Sequence, residues 1–504
     1  MSIQKEDKSV SLGLIPPNLR KPEQVARCFD GQELLTYKLL RDPVDFLEFN
    51  HYNGPFAIWR DNSTLTFVVP ESRFNYTLYE KRLILTFKEK GLTLSIAGKT
   101  EKAIAQTAAY FLGLHNATEN SSTIYIETQE LSFDFRAAGP RCLSNILKGV
   151  PSPALDFERL TFSAKQTAAM ATVSNPVTLS FSECEFEDGG KAFVDALEKR
   201  KSSFGSLSFV NTSPLRNDYM RRLSRLDVIN RLELPFLDDS ISLLPFSAKL
   251  DQLEYDICTS VLSETNVKSL HIVAKKLTLM IKSDTDGPFP IQPAVSMLRR
   301  IAELGHFEEL KIRFLVFDGD MTMPDCIVTE TIKAVLANSN LKVLDLSTDD
   351  EELEWESHLE MLFEGIRNHK ELRILKVVVG WDAFGPDYSF LRQFISQNRH
   401  ISVTDEDGKV HSDGKLVDEL YSLNRFIRDS ATLVAEQSSE RPLLVAKALT
   451  VLNSFQRTGL LLSNHTDALH ELIQKVQNDG NLDRDVDNFS PNLTNPRPKR
   501  RRCI

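Results

Sequence analysis

A short pattern, apolar-x-x-Leu-x-apolar, recurs nine times between residues 157 and 377 and limits what this chain can fold into. It reads FERLTF (157–162), PVTLSF (176–181), FGSLSF (204–209), INRLEL (229–234), LDQLEY (250–255), VKSLHI (267–272), FEELKI (307–312), LKVLDL (341–346) and LRILKV (372–377), with proline heading the second. Leu-x-apolar alternation is the period of a strand. The stretches between carry helical spacing: Phe193 with Leu197, then Val295, Leu298, Ile301 and Leu304, then Met361, Phe363 and Ile366. The central leucines fall at 160, 179, 207, 232, 253, 270, 310, 344 and 375, and the wide step from 270 to 310 predicts an insertion or a lost unit. A lone strand-helix unit cannot bury its own apolar face, so neighbours must stack and share a core. The fold class that follows is α/β, an elongated solenoid in which a curved parallel sheet carries outer helices.

A chain of 504 residues exceeds one compact core, which an array of this kind accommodates. Hydrophobic residues at 41% and charged residues at 26% are ordinary for a soluble globular protein. The formal net charge of -10 disfavours a general nucleic-acid or anionic-membrane surface, because phosphates need an excess of Lys and Arg. Six cysteines are scattered without a CxxC pair or nearby histidines, so neither a disulfide nor a zinc framework is expected. The amino terminus lacks the apolar run of a secretory signal, and no segment reaches the length of a membrane span. A cytoplasmic or nuclear location is the expectation.

From Pro176 to Leu207 the chain reads PVTLSFSECEFEDGGKAFVDALEKRKSSFGSL, and this unit resembles a leucine-rich repeat of the ribonuclease-inhibitor-like type over its full length. The resemblance implies Leu179 and Phe181 as inward strand residues, Cys184 at the buried Asn/Cys position, and Phe186 opening the convex side. Asp188-Gly189-Gly190 would then turn into a helix pinned by Phe193 and Leu197. Across residues 155–400 the likeness continues with departures: Lys165, Thr212, Leu237, Lys275, Leu315, Asp349 or Gly380 stands at the Asn/Cys position, which implies degenerate repeats. Functionally, it implies a non-enzymatic scaffold or receptor that binds a protein partner on its concave face. The alternative it suggests is a substrate-recognition adaptor for ubiquitin ligation, like F-box leucine-rich-repeat proteins, although PEQVARCFDGQELLTYKLL lacks the Leu-Pro start of an F-box.

The flanks read differently. Residues 1–20 are expected to be a disordered tail. Residues 21–150 form a mixed α/β region, either diverged repeats or a separate small domain, with a helical start in ELLTYKLL (33–40), strand-like STLTFVV and RLILTF, and a helix presenting Ile104, Ala108, Phe111 and Leu112. Residues 151–400 carry the repeats. Residues 401–478 are expected to form a hairpin turning at Asp407-Gly408 and a helical C-terminal cap, with Leu416, Leu420, Leu423 and Phe426 on one face and Leu469, Leu472, Ile473 and Val476 on another. Residues 479–504 are read as a disordered basic tail.

FEDGGKAFVDALEKR (186–200) has the look of a phosphate loop, but Glu185 replaces the first glycine and Ala192 follows Lys191, so it reads as a repeat turn. His465 and His470 are five apart and read as surface helix; HExxH is absent. Asp284-Thr-Asp286-Gly287 and Asp405-Glu-Asp407-Gly408 begin like calcium loops without the closing Glu, and Asp318, Asp320 and Asp325 read as a solvated loop. No metal or cofactor is called for. With no GxSxG and no paired nucleophile and base, an enzyme would need an unrecognised site in the N-terminal region.

Side-chain alternation places the residue after each central leucine on the concave face: Thr161, Ser180, Ser208, Glu233, Glu254, His271, Lys311, Asp345 and Lys376. Glu233, Glu254, His271, Lys311, Asp345 and Lys376 are the candidate binding residues for a protein partner. At the carboxyl end, Arg497 with Lys499, Arg500, Arg501 and Arg502 resembles a monopartite nuclear-import signal, which implies an import receptor as a further partner. Weak nucleic-acid contact is expected through this tail alone.

Overall fold

The computed structural model describes residues 11–27, 31–52, 54–70, 81–114, 123–128, 133–149, 153–284, 287–316, 322–348, 352–435, 441–451 and 455–479. The chain divides into two compact units, Met1–His358 with His369–Val379, and Leu359–Asn368 with Gly380–Ile504. Lys499, Arg500, Arg501 and Arg502 lie outside the described residues.

The first unit is α/β, built on a large, mostly parallel sheet. Its amino-terminal strands are β1 (Leu12–Leu14), β2 (Leu35–Leu39), β3 (Phe56–Arg60), β4 (Thr64–Pro70), β5 (Arg82–Phe87), β6 (Leu92–Gly98) and β7 (Thr123–Glu127). Then come β8 (Ala154–Glu158), β9 (Thr161–Phe162), β10 (Val177–Ser182), β11 (Glu185–Phe186), β12 (Gly205–Val210) and β13 (Ile229–Leu234). The last five are β14 (Gln252–Cys258), β15 (Lys276–Lys282), β16 (Glu309–Leu315), β17 (Val343–Asp345) and β18 (Ile374–Lys376). Strands β9 and β11 pair with each other in a separate short ladder. Among its helices are α1 (Glu101–Leu114), α2 (Gly139–Gly149), α3 (Ala164–Ala171), α4 (Lys191–Leu197), α5 (Asn217–Leu223), α6 (Thr259–Glu264), α7 (Ile291–Leu304) and α8 (Asp325–Ala337).

From β8 onward the sheet is parallel, each strand joining the next through β10, β12 and so on to β18. The register is common to all of them. Leu155, Leu179, Leu207, Leu232, Leu253, Leu277, Leu310, Leu344 and Leu375 are successive partners, and each is at most 1% exposed. Two leucines expected in this column stand elsewhere. Leu160 precedes β9, and Leu270 follows a 3-10 turn at Val267–Ser269; Leu155 and Leu277 hold the column instead. The pattern skipped both because the position three residues earlier is Ser152 or Ala274, not a large apolar residue. With Leu277 in place the step to Leu310 shortens to 33 residues, close to the 34 and 31 that follow.

The N-terminal strands continue the same sheet. β7 pairs in parallel with β8, while β3, β4, β6, β5 and β7 run antiparallel in that spatial order. ELLTYKLL, expected to start a helix, is the strand β2, held between antiparallel β1 and parallel β3. Cross-strand pairing overrides the helical texture of its leucines. Leu12, expected within a disordered tail, is 2% exposed on β1; residues 1–10 lie outside the described residues.

Within the best-matching unit, α4 packs Phe193 and Leu197 into the core, Phe193 meeting Phe181 of β10 at 6.4 Å between ring centroids. Buried Cys184 donates its Sγ hydrogen to the Phe157 carbonyl at 3.3 Å, and burial pushes its thiol up to about 12. At Gly190 φ is +94°, and a Cβ would come within 2.1 Å of Leu215 Cδ2, so this turn demands glycine. One position shows backbone strain in series: Arg159, Glu183 and Asn211, each directly after β8, β10 or β12, all have φ between 51° and 64°. Between later units the fastener is Asn338, fully buried: its amide donates to Ala334 O of α8, and its Oδ1 accepts from Phe307 N ahead of β16.

The second unit contains α9 (Leu359–Ile366), α10 (Ser389–Gln397), β19 (Ser402–Thr404), α11 (Leu416–Ala435), α12 (Arg441–Val451), α13 (Phe455–Asn464) and α14 (Thr466–Asp479). Phe363 of α9 stacks on Phe394 of α10 at 4.5 Å. The hairpin forms at the expected place: Gly408 has φ +81°, and Asp405 N donates to Lys409 O at 2.9 Å. His465, expected on the surface, is fully buried at the α13–α14 junction, where Arg441 Nη2 lies 3.3 Å from its Nδ1.

Candidate functional site: the polar face of the parallel strands

Because strands alternate, a common register turns each outward position into a row across the sheet. The row beside the leucine column reads Asp156, Ser180, Ser208, Glu233, Glu254, Thr278, Lys311, Asp345 and Lys376. Glu233, Glu254, Lys311, Asp345 and Lys376 are therefore where the sequence places them. His271 is not; it is an exposed residue after Leu270, ahead of β15, and Thr278 takes its position. Thr161 is likewise on the short strand β9, and Asp156 replaces it. Both errors follow from the two misplaced leucines. Every member of the row is half-buried rather than fully solvated.

The next outward row, two residues further along, runs Glu127, Glu158, Ser182 and Val210 on the early strands and Asp256, Met280 and Arg313 on β14, β15 and β16. Motif reading missed it because the repeat pattern ends one residue earlier. Together the two rows segregate charge. Glu127, Asp156, Glu158, Glu233, Glu254 and Asp256 occupy the strands up to β14, Lys311 and Arg313 stand on β16, and Asp345 and Lys376 follow on β17 and β18; Lys282 lies two residues beyond Met280 at the end of β15.

The acidic side is crowded. Arg231 reaches Glu254 at 2.9 Å and Glu233 at 3.9 Å. Burial, then the neighbouring Glu254, raises the Glu233 carboxyl above its ordinary range. Burial also lifts Asp256 to about 6, with Glu254 and Glu233 adding to the rise and Arg313 opposing it. Asp156 and Glu127 are raised as well, chiefly by burial, with Glu158 contributing to both. The basic side is more evenly matched: Lys311 pairs with Asp345 at 3.4 Å, Arg313 with the buried Glu352 at 3.1 Å, and Lys276 with Glu309 at 2.7 Å.

Where the two sides meet, a groove of about 370 Å³ crosses β13 to β16, lined by Glu233, Glu254 and Asp256 and by Lys282 and Arg313, with Phe236 and Met280 also in its wall. The Lys282 ammonium sits 5.0 Å from the centroid of the Phe236 ring, a cation–π distance. Such a surface can take up charged groups of either sign at defined places, and its apolar wall can hold what lies between.

Other candidates resolve into structural roles. At the Gly189-Gly190 turn, Asp188 already accepts from Gly190 N at 3.0 Å and Ala192 N at 2.7 Å, and Lys191 pairs with Asp195 at 2.6 Å, so the helix start has its own anion. Asp284 accepts from Thr259 Oγ1 and Ser260 N at the start of α6. Asp286, Asp318 and Asp320 lie outside the described residues. A Ser–His–Asp contact does occur: Ser357 Oγ is 2.7 Å from His358 Nδ1, and His358 Nε2 is 2.8 Å from Asp325 Oδ1. The Asp325 side chain is 88% exposed in the first turn of α8, where water screens it, so the contact ties a 3-10 turn to a helix. Among the described residues no group of three or more His, Cys, Asp or Glu could hold a metal ion, and no helix is long and apolar enough to cross a membrane. The chain matches no protein-family model and no curated protein.

Proposed function

We propose that this chain is a non-enzymatic protein-interaction protein, a degenerate leucine-rich-repeat solenoid of the ribonuclease-inhibitor-like type that receives a protein partner on the concave, polar face of its parallel sheet. One observation carries the reading. Across strands held in one register, that face sets half-buried carboxylates, Glu233 and Asp256 with raised pKa values, beside cations on β15 and β16. Folding alone is served better by apolar or paired groups at half-buried positions. A rigid sheet also loses little conformational entropy when a partner binds. Cys142 and Cys184 are buried free thiols, which suits the reducing conditions of cytoplasm or nucleus.

The test is affinity capture by the tagged full chain, with captured proteins quantified by mass spectrometry beside the variant Glu233→Lys, Glu254→Lys, Lys311→Glu. We expect the principal partner to disappear from the variant's catch while the melting temperature stays within a few degrees, since these residues are not core. Equal capture by the triple variant sinks the reading.

A further inference from the structure

Resting on the reading that the polar face is a docking surface, we propose that the groove over β13 to β16 receives an extended partner segment with one cationic and one anionic side chain. These project from the same side about 10 Å apart, two strand steps, with apolar residues between.

The register supplies the ruler. Asp256, Met280 and Arg313 are direct partners on consecutive strands, so the row reads acid, apolar, base. Glu233 and Glu254 reinforce the acidic end, where Arg231 is the guanidinium within 4 Å of both. A cation entering there relieves repulsion among three carboxylates. Lys282 and Arg313 form the other end, Arg313 also pairing with Glu352 at 3.1 Å and Phe236 lying 5.0 Å from the Lys282 ammonium. A wholly basic segment would bring like charges against Lys282 and Arg313, and a wholly acidic one would meet the carboxylates. A segment bearing both signs finds its complement at each end.

Spacing then selects the conformation. In a β-strand, residues i and i+3 point to opposite sides, and i and i+4 are about 13 Å apart. In a polyproline II stretch, i and i+3 fall on one side about 9 Å apart, close to the separation of the two ends of the groove. A volume of about 370 Å³ holds a few side chains, not a helix. The occupant is thus a proline-rich, extended segment of the form cation-apolar-apolar-anion.

The probe is a fluorescein-labelled peptide, PPKPPEPP, titrated with the full chain and read by fluorescence anisotropy, beside PPQPPEPP, PPKPPQPP, PPQPPQPP and PPKPPKPP. We expect PPKPPEPP to bind tightest, each singly neutral peptide about fivefold more weakly, and the doubly neutral one about twentyfold more weakly, as loss of one and two partly desolvated ion pairs requires. Asp256→Lys should weaken PPKPPEPP about tenfold and bind PPEPPEPP more tightly than the wild type does, a gain that misfolding cannot produce. Equal binding of PPQPPQPP, tighter binding of PPKPPKPP, or indifference to Asp256→Lys overturns the proposal. If the triple charge reversal abolishes partner capture while PPKPPEPP neither binds nor competes, this inference falls and the broader reading stands.

Discussion

On the helix side of the first unit, carboxylates are settled. Asp195 on α4 is held below its ordinary range by hydrogen bonds from Lys191 and Arg222, Glu198 at the end of that helix by Arg222, and Glu330 on α8 first by Arg299 and also by Lys333. On the strand face the shift has the opposite sign: Glu233, Asp256, Asp156 and Glu127 are all raised, with burial the leading cause. The same residue types thus stand in two electrostatic settings in one unit. Helix-side acids join neighbouring units through cross-helix pairs, as Arg222 of α5 does when it grips α4. Strand-face acids stand half-buried beside one another, and the cations within the unit, Arg231 for Glu233 and Arg313 for Asp256, offset their burial only in part.

The contrast can be broken most forcefully at the core that supports both sides. Phe193→Ala empties a fully buried site beneath α4 and should cost about 3–5 kcal/mol, seen as a lower urea midpoint, whereas Glu233→Gln should fall within about 1 kcal/mol of the wild type. Asp256→Asn comes next. A carboxyl whose folded pKa exceeds its unfolded value binds protons more tightly when folded, so its contribution to stability falls as pH rises from about 4 through about 6. The variant should flatten that part of the stability profile and gain on the order of 1 kcal/mol at pH 7, after allowance for solvent screening. A loss of stability at pH 7 would mean that the Arg313 attraction outweighs burial. The smallest change is expected from Arg222→Ala. Asp195 and Glu198 have lowered pKa values, so they stabilise above their unfolded pKa and lose that effect as pH falls through the folded one. Removing Arg222 should leave the neutral-pH midpoint nearly unchanged, because the pairs are exposed, and make the acid limb shallower.

Much of this was legible from residue type and spacing. Cys184, the Asp188-Gly189-Gly190 turn and the Phe193/Leu197 pair stand where the regular unit puts them, because each is dictated by local backbone geometry and short-range packing. Leu155 and Leu277 were missed because their strands enter the column behind Ser152 and Ala274, and only cross-strand pairing reveals that. The strand identity of ELLTYKLL depends on β1 and β3, which are distant in sequence or antiparallel to it. Of the candidate groove, Glu233 and Glu254 were visible. Asp256, Met280 and Arg313 were not, since their alignment is a property of neighbouring strands rather than of any one of them.

A shared register also makes distance on this face an integer. Each strand adds about 4.8 Å, so the separation between the acidic and basic blocks is fixed by how many strands lie between them, not by any side chain's reach. Inserting one further strand-helix unit between β14 and β15 would widen the spacing between the acidic and basic groups by a whole step while leaving every groove residue in the chain. The spacing of charge on this face can therefore be rewritten by counting strands as readily as by substitution.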